Sequence, residues 1–329
     1  MTCELTKISR DALRLSLLGD GPGVLALYEA HEDMPEIRLK LAAFRERFLG
    51  PPHDPAASVS DPYVGTLIRT YREYYRLAFM HVVSATEAEA WLRDRLVREL
   101  PGVAGRTSLD ELEREIQPAV EQRGLHVMLG MVTPYRALHI WTQQEWKRFP
   151  VVLPHKSLEL DVCLADGFVE LGWFHFVTFG EKYSGGWASS EPRAQKRFWR
   201  VRQKYDATDP ERFRLFLAHE AQHVADLADF PGIDETALEY RAKLAELLLA
   251  ADTRPLLEKL RAEASPAPHS PHAYASWQLL SRLSTAMTGD ENAMLSADIL
   301  GVLPASLQFA AAELFAADQQ DRNRARDRD

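Results

Sequence analysis

Apolar residues recur every three to four positions over most of this chain, and every second position over one stretch near its middle. The longer period runs through Pro35–Phe48, Asp61–His81, Ala85–Leu100 and Ser108–Gln122. Residues three and four apart share one helix face, so each segment predicts an amphipathic helix. Asp61 ahead of Pro62 is an N-cap signal, and the Pro- and Ser-rich residues 50–60 read as a loop. The shorter period appears where Leu158, Leu160, Val162 and Leu164 alternate with Glu159, Asp161 and Cys163, which predicts a half-buried strand. Asp166-Gly167 carries a turn signal. Phe168–Phe179 is almost continuously apolar and aromatic and predicts a strand buried on both faces. Gly185–Ser189 and Lys196–Tyr205 add two short strands, giving a small, mostly antiparallel sheet between about Leu125 and Tyr205.

Helices return after Tyr205. Thr208-Asp-Pro-Glu211 has the form of a capping box, and the helix it opens is stopped near Phe230 by Pro231-Gly232. Asp234 caps a second helix that runs to about Ala251. Ser265–Pro271 is a rigid connector, and two or three further helices follow. Asp321–Asp329 has no apolar anchor and is expected to lack fixed structure. The expected fold is therefore α+β and mostly helical: a small antiparallel sheet packed on a pair of helices, with helical regions at both ends. The segments expected are 1–124 (N-terminal helices), 125–251 (sheet and helix pair), 252–320 (C-terminal helices) and 321–329 (tail).

Composition narrows the function. With 46% hydrophobic and 26% charged residues, the 329-residue chain has ordinary globular composition and material for a sizeable core. Its formal charge of −9 gives no general attraction to nucleic acid or to an anionic membrane. Cys3 and Cys163 cannot build a disulfide framework or a Cys-rich metal site, and two cysteines of this kind suit a reducing compartment. The apolar run Leu13–Leu18 is short and broken by Arg14, so neither a secretory signal nor a membrane span is expected. The expectation is a cytoplasmic protein without nucleic-acid or membrane partners, its oligomeric state open.

The chemistry concentrates at His219-Glu220-Ala221-Gln222-His223, an H-E-x-x-H pattern on a predicted helix. Residues i and i+4 lie one turn apart on one face, so two imidazoles can reach one cation, and the intervening glutamate can take a proton from a water that zinc activates. Two histidines at this spacing also occur as a surface patch or as satisfied core residues, so a third ligand is needed. Glu239 stands near the start of the next helix, which the Pro231-Gly232 turn folds back opposite the histidines. Ala242, Ala245 and Leu249 give that helix a small apolar face for close packing. Two His and one Glu leave a fourth position open, as a catalytic zinc site requires. Asp229, and Asp234 or Glu235, are rival third ligands, and another divalent ion is not excluded by ligand type.

H-E-x-x-H followed by Glu239-Tyr-Arg-Ala242 on the next helix resembles the gluzincin group of zinc metallopeptidases. More narrowly, Gly185–Ala188, Tyr205-Asp206, His219–Asp226, Phe230-Pro231 and Leu238–Leu244 resemble a poorly characterised bacterial family of that type, over about Thr133–Ala250, with a weaker echo at Pro271–Tyr274. The resemblance implies one Zn2+ beside a sheet, a peptide or protein substrate lying along an edge strand, and a His or Tyr from C-terminal sequence that steadies the oxyanion. It departs at Lys243, where many gluzincins have an acid.

The residues expected at the site are then His219, His223 and Glu239 as ligands, Glu220 as general base, and His272 or Tyr274 as oxyanion donor. Asp226 would orient an imidazole or, alternatively, pair with Arg241. Gly186, Trp187 and Ala188 would form the substrate-binding edge. Thr133-Pro134-Tyr135 is a weaker candidate for the cleft wall, and Arg200, Arg202 and Lys204 for orienting an acidic group. The leading function is a zinc-dependent hydrolase, specifically a metallopeptidase. A metal-stabilised binding or regulatory protein with little turnover and a hydrolase of small amides are the alternatives.

Overall fold

The computed structural model describes residues 2–51, 59–102, 108–132, 134–188, 197–204, 210–268, 270–291 and 304–326. The fold is α+β and mostly helical, with a small, curled, mixed five-stranded sheet and helical regions on both sides of it in sequence. Six helices come first: α1 (Thr2–Leu17), α2 (Gly21–Glu29), α3 (Pro35–Phe48), α4 (Pro62–Phe79), α5 (Ala85–Glu99) and α6 (Leu109–Glu121). The last four match the periodic segments closely. Asp61 accepts hydrogen bonds from the Tyr63 and Val64 amides, as an N-cap does. The strands β1 (His126–Val132), β2 (Tyr135–Val152) and β3 (Ser157–Leu171) follow, then α7 (Gly172–Val177), β4 (Gly186–Ala188) and β5 (Arg197–Val201). The chain closes with α8 (Pro210–Asp229), α9 (Glu235–Leu249), α10 (Arg254–Glu263), α11 (Pro271–Thr288) and α12 (Pro304–Arg326). No helix among the described residues is long and apolar enough to cross a membrane.

Strand order is β1-β2-β3-β5-β4, and the β1–β2 and β4–β5 pairings are antiparallel. The structure revises several expected elements. β3 ends at Leu171, the fourth residue of the apolar run Phe168–Phe179 expected to be one strand, and Gly172–Val177 of that run forms α7. Gly172 takes φ +76 at that junction, where a Cβ would sit 2.7 Å from the His139 ring, so a glycine both permits and fits the break. Asp166-Gly167 lies inside β3 and does not turn the chain. β5 stops at Val201, and Arg202–Lys204 forms a 3-10 turn, so Arg200, Arg202 and Lys204 do not share a strand face. The tail from Asp321 continues α12 through Arg326. Thr208 of the expected capping box lies outside the described residues.

The chain forms two compact units that cut across the expected segments. One comprises Met1–Gln144 with Ala165–Gly185, the other Glu145–Leu164 with Gly186–Asp329. In the first, α4 is the central helix, and Tyr71, Tyr74 and Tyr75 are buried. Their hydroxyls are satisfied as burial demands: Tyr71 donates to Glu113 at 2.6 Å, Tyr74 accepts from the Arg136 amide and Tyr75 from the Leu138 amide. Tyr135, a candidate for the cleft wall, is buried in this core and donates to the Gly19 carbonyl instead. In the second unit α8 buries Phe213, Leu217, Ala218, Ala221 and Val224 against the sheet residues Leu160, Val162, Leu164 and Phe198. α9 buries Tyr240, Leu244 and Leu247 against α10, α11 and α12. α8 and α9 also pack on each other, and buried polar residues of the two helices, Gln222, Asp226, Glu239 and Arg241 among them, lie on this pair.

Candidate metal centre

α8 carries His219 and His223 one turn apart, both largely shielded from solvent. The chain reverses at Pro231-Gly232, where Gly232 adopts φ +90. Asp234 then accepts from the Ala237 amide at 2.9 Å and starts α9 as its N-cap. Five residues on, Glu239 completes the group: one donor atom from each of His219, His223 and Glu239 lies within 4.8 Å of the others. The imidazole Nε2 atoms are 3.0 Å apart. Glu239 Oε1 lies 3.1 Å from His223 Nε2, and Oε2 lies 3.6 Å from His219 Nε2. Donors on a tetrahedral zinc with bonds of about 2.0–2.1 Å are about 3.3 Å apart, so the trio fits that ion in both spacing and donor type.

The rival ligands are occupied elsewhere. Asp229 is held by Lys156 at 2.5 Å, Asp234 caps α9, and Glu235 is exposed on its first turn. Asp226 is not beside an imidazole. It accepts from Gln222 at 2.8 Å and pairs with Arg241 at 2.9 Å, both charged groups being fully buried. The acid at the far nitrogen of an imidazole is Glu246, whose Oε1 lies 2.5 Å from His219 Nδ1. It stands seven residues after Glu239, two turns along one face of α9, a spacing that was open to sequence reasoning and was missed. Such an acid fixes the tautomer that presents Nε2 to the metal.

Electrostatics favour positive charge at this point. Burial works to lower the His219 pKa, yet the Glu246 and Glu239 carboxylates outweigh it and raise it to about 10. Burial likewise works to raise Glu239, and contacts from His219, His223 and His272 hold it far below the usual carboxylate range. A divalent cation satisfies the same demand with both imidazoles neutral.

Glu220, half-buried on α8, lines a cavity of about 690 Å3 together with His219, Glu246 and His272. Its carboxylate has no ion-pair partner among the described residues. His272, on the first turn of α11, brings Nδ1 to 2.7 Å from Glu239 Oε2 while most of its ring stays exposed. Tyr274 is not brought to the site: it stacks on Trp277 at 5.6 Å and does not line the cavity. Lys243, the departure from the gluzincin pattern, is buried, pairs with Glu263 at 2.6 Å and stands 4.0 Å from Glu239 Oε2. Arg200 also borders the cavity, whereas Arg202 pairs with Glu145 at 2.7 Å. Gly186, Trp187 and Ala188 form β4, which lies at one end of the strand order, opposite β1, and pairs with Arg200, Trp199 and Phe198 of β5. Thr133 lies outside the described residues. Compared with known proteins, the chain matches no family model, no curated protein and no solved structure.

Proposed function

We propose that this chain is a zinc-dependent hydrolase of the gluzincin type, a metallopeptidase that cuts peptide bonds with an activated water. The observation that carries the reading is the convergence of His219, His223 and Glu239 at spacings of 3.0–3.6 Å. Zinc, when bound there, would supply a Lewis acid that polarises a carbonyl and lowers the pKa of water toward ~7. Glu246 holds the His219 ring by Nδ1 and leaves Nε2 for the ion. Glu220, on the cavity wall beside His219, accepts the proton of the attacking water and returns it to the leaving nitrogen. His272 donates to the carbonyl oxygen as it gains charge. β4, at one end of the strand order, would offer main-chain hydrogen bonds to an extended peptide. The pairing of a basic carboxylate with a cavity at the ligands favours turnover over a purely structural metal site.

Glu220→Gln tests this reading. The variant keeps the side-chain shape and removes the basic carboxylate. Zinc content and fold are expected to survive, while cleavage of an unbiased proteome digest, read by mass spectrometry, falls by roughly 10²–10⁴-fold. A zinc-loaded wild type that cuts nothing in that screen, or a variant that cuts as well as wild type, contradicts the reading.

A further inference from the structure

The first unit contains a cavity of about 530 Å3 that the proposed hydrolysis does not use. Arg47, Arg69, Arg72 and Arg76 line it, with Phe176 and Phe179 beside them. Four guanidinium groups around one cavity are unexpected in a chain of net charge −9. Among the described residues two acids, Glu46 and Glu73, share its walls.

Arg69 donates to the Thr66 hydroxyl at 3.1 Å, and the other three differ in how closely a carboxylate matches them among the described residues. Arg72 is held by the buried Glu170 at 2.8 Å. Arg76 Nη1 is 3.6 Å from Glu73, beyond hydrogen-bond range, and its Nε and Nη1 are buried without a hydrogen bond among the described residues. Arg47 donates to the Phe176 carbonyl at 2.8 Å and lies 3.9 Å over the Phe179 ring. Neither contact carries a full negative charge. Burial lowers the Arg47 pKa, and the neighbouring Arg72 charge lowers it further against the opposing pull of Glu46. Phe179 itself adopts φ +56, a conformation that a bulky residue holds only when its surroundings impose it, and its ring is 42% exposed.

We propose that this cavity binds a phosphoester, a small molecule whose phosphate group is clamped by Arg47, Arg69 and Arg76 and whose body rests on Phe176 and Phe179. The planar guanidinium fork matches phosphate oxygens, and a dianion offsets like charges that otherwise repel one another. The volume lies within the span of small-molecule sites and exceeds what a bare phosphate fills, so the aromatic wall has a part of the ligand to contact.

The test is titration calorimetry on the full, zinc-loaded chain with adenosine monophosphate, glucose 6-phosphate and inorganic phosphate, with adenosine and glucose as phosphate-free controls. At least one phosphoester is expected to bind saturably and more tightly than inorganic phosphate, and the controls not at all. Arg76→Gln and Arg69→Gln each weaken that binding tenfold or more. Glu46→Gln, an exposed change that removes a carboxylate from the cavity and leaves every arginine in place, tightens it several-fold, so the proposal stays testable should an arginine variant fail to fold. No saturable binding of either phosphoester at millimolar concentration overturns the proposal. So does inorganic phosphate binding as tightly as both phosphoesters, or an affinity indifferent to Arg76→Gln and Glu46→Gln.

Discussion

Beside Glu239, two buried acids of the α8–α9 pair serve different partners. Glu246 faces His219, whereas Asp226 faces Arg241. Glu246→Gln is therefore expected to lower zinc affinity by about 10–100-fold in a chelator competition while the fold persists. Asp226→Asn is expected to change that affinity far less and to lower stability instead. Equal losses of affinity in the two variants would contradict the assignment. His272 is a separate matter, since it touches Glu239 from an exposed position at the start of α11. His272→Gln is expected to keep one equivalent of zinc and to lose roughly 10²–10³-fold in kcat on whatever peptide the screen supplies. An unchanged kcat would remove it from the chemistry. The clustering of His219, His223 and Glu239 was legible because H-E-x-x-H fixes a helix face and Glu239 follows near the start of the returning helix. Glu246 was not, because it reads as an ordinary charged position on α9 until its neighbour across the helix pair is known. Asp226 had two readings from sequence, and only the packing of α9 on α8 chooses Arg241.

At the level of elements, Arg241 is the tie between α8, α9 and α12. It is fully buried, pairs with Asp226 and with Asp318 at 2.6 Å, and sits over the rings of Phe230 and Phe315. A buried ion pair gains little over an apolar replacement, but losing one member strands the other. Arg241→Leu is expected to cost about 3–5 kcal/mol in urea unfolding, and the double variant with Asp226→Leu to recover part of that loss. A single variant as stable as wild type would mean that Asp226 finds another partner. The same contacts explain why the charged tail is helical. Leu307, Ala311 and Phe315 anchor α12 in the core, Asp318 holds Arg241, and the Arg322–Asp318 and Arg324–Asp321 pairs support the turns beyond. Once a helix is nucleated, each added residue brings a hydrogen bond without a new nucleation cost, so polarity alone does not predict its end. Periodicity located α3 to α6 almost to the residue. It failed at Phe168–Phe179, because a short apolar run has no period that separates a strand from a single buried helical turn.

The whole molecule adds what no local pattern carries. Residues 145–164 leave the first unit and join the second, so strands β2 and β3 each contribute to both, and segment boundaries drawn from composition do not mark them. The first unit also holds two titratable groups with opposite demands. Burial pushes Glu113 up to about 7 in spite of Arg136 and Tyr71, so the stability of its neutral form is complete below about 4.5 and is lost as pH rises through 7. Burial lowers His139 to about 3, so its contribution is complete above about 6.5 and is lost as pH falls toward 3. Relative to wild type, Glu113→Gln is expected to gain stability steadily from pH 4.5 to 7 in urea unfolding, and parallel curves would show that Glu113 ionises without cost.

Metal content decides whether His219, His223 and Glu239 form a metal centre. After loading with zinc and exhaustive dialysis, elemental analysis of the wild-type chain is expected to give one zinc per chain. His219→Ala, His223→Ala and Glu239→Ala are each expected to give far less than one, with circular dichroism unchanged. A wild type that retains no zinc, or histidine variants that keep a full equivalent, would rule out zinc at these residues.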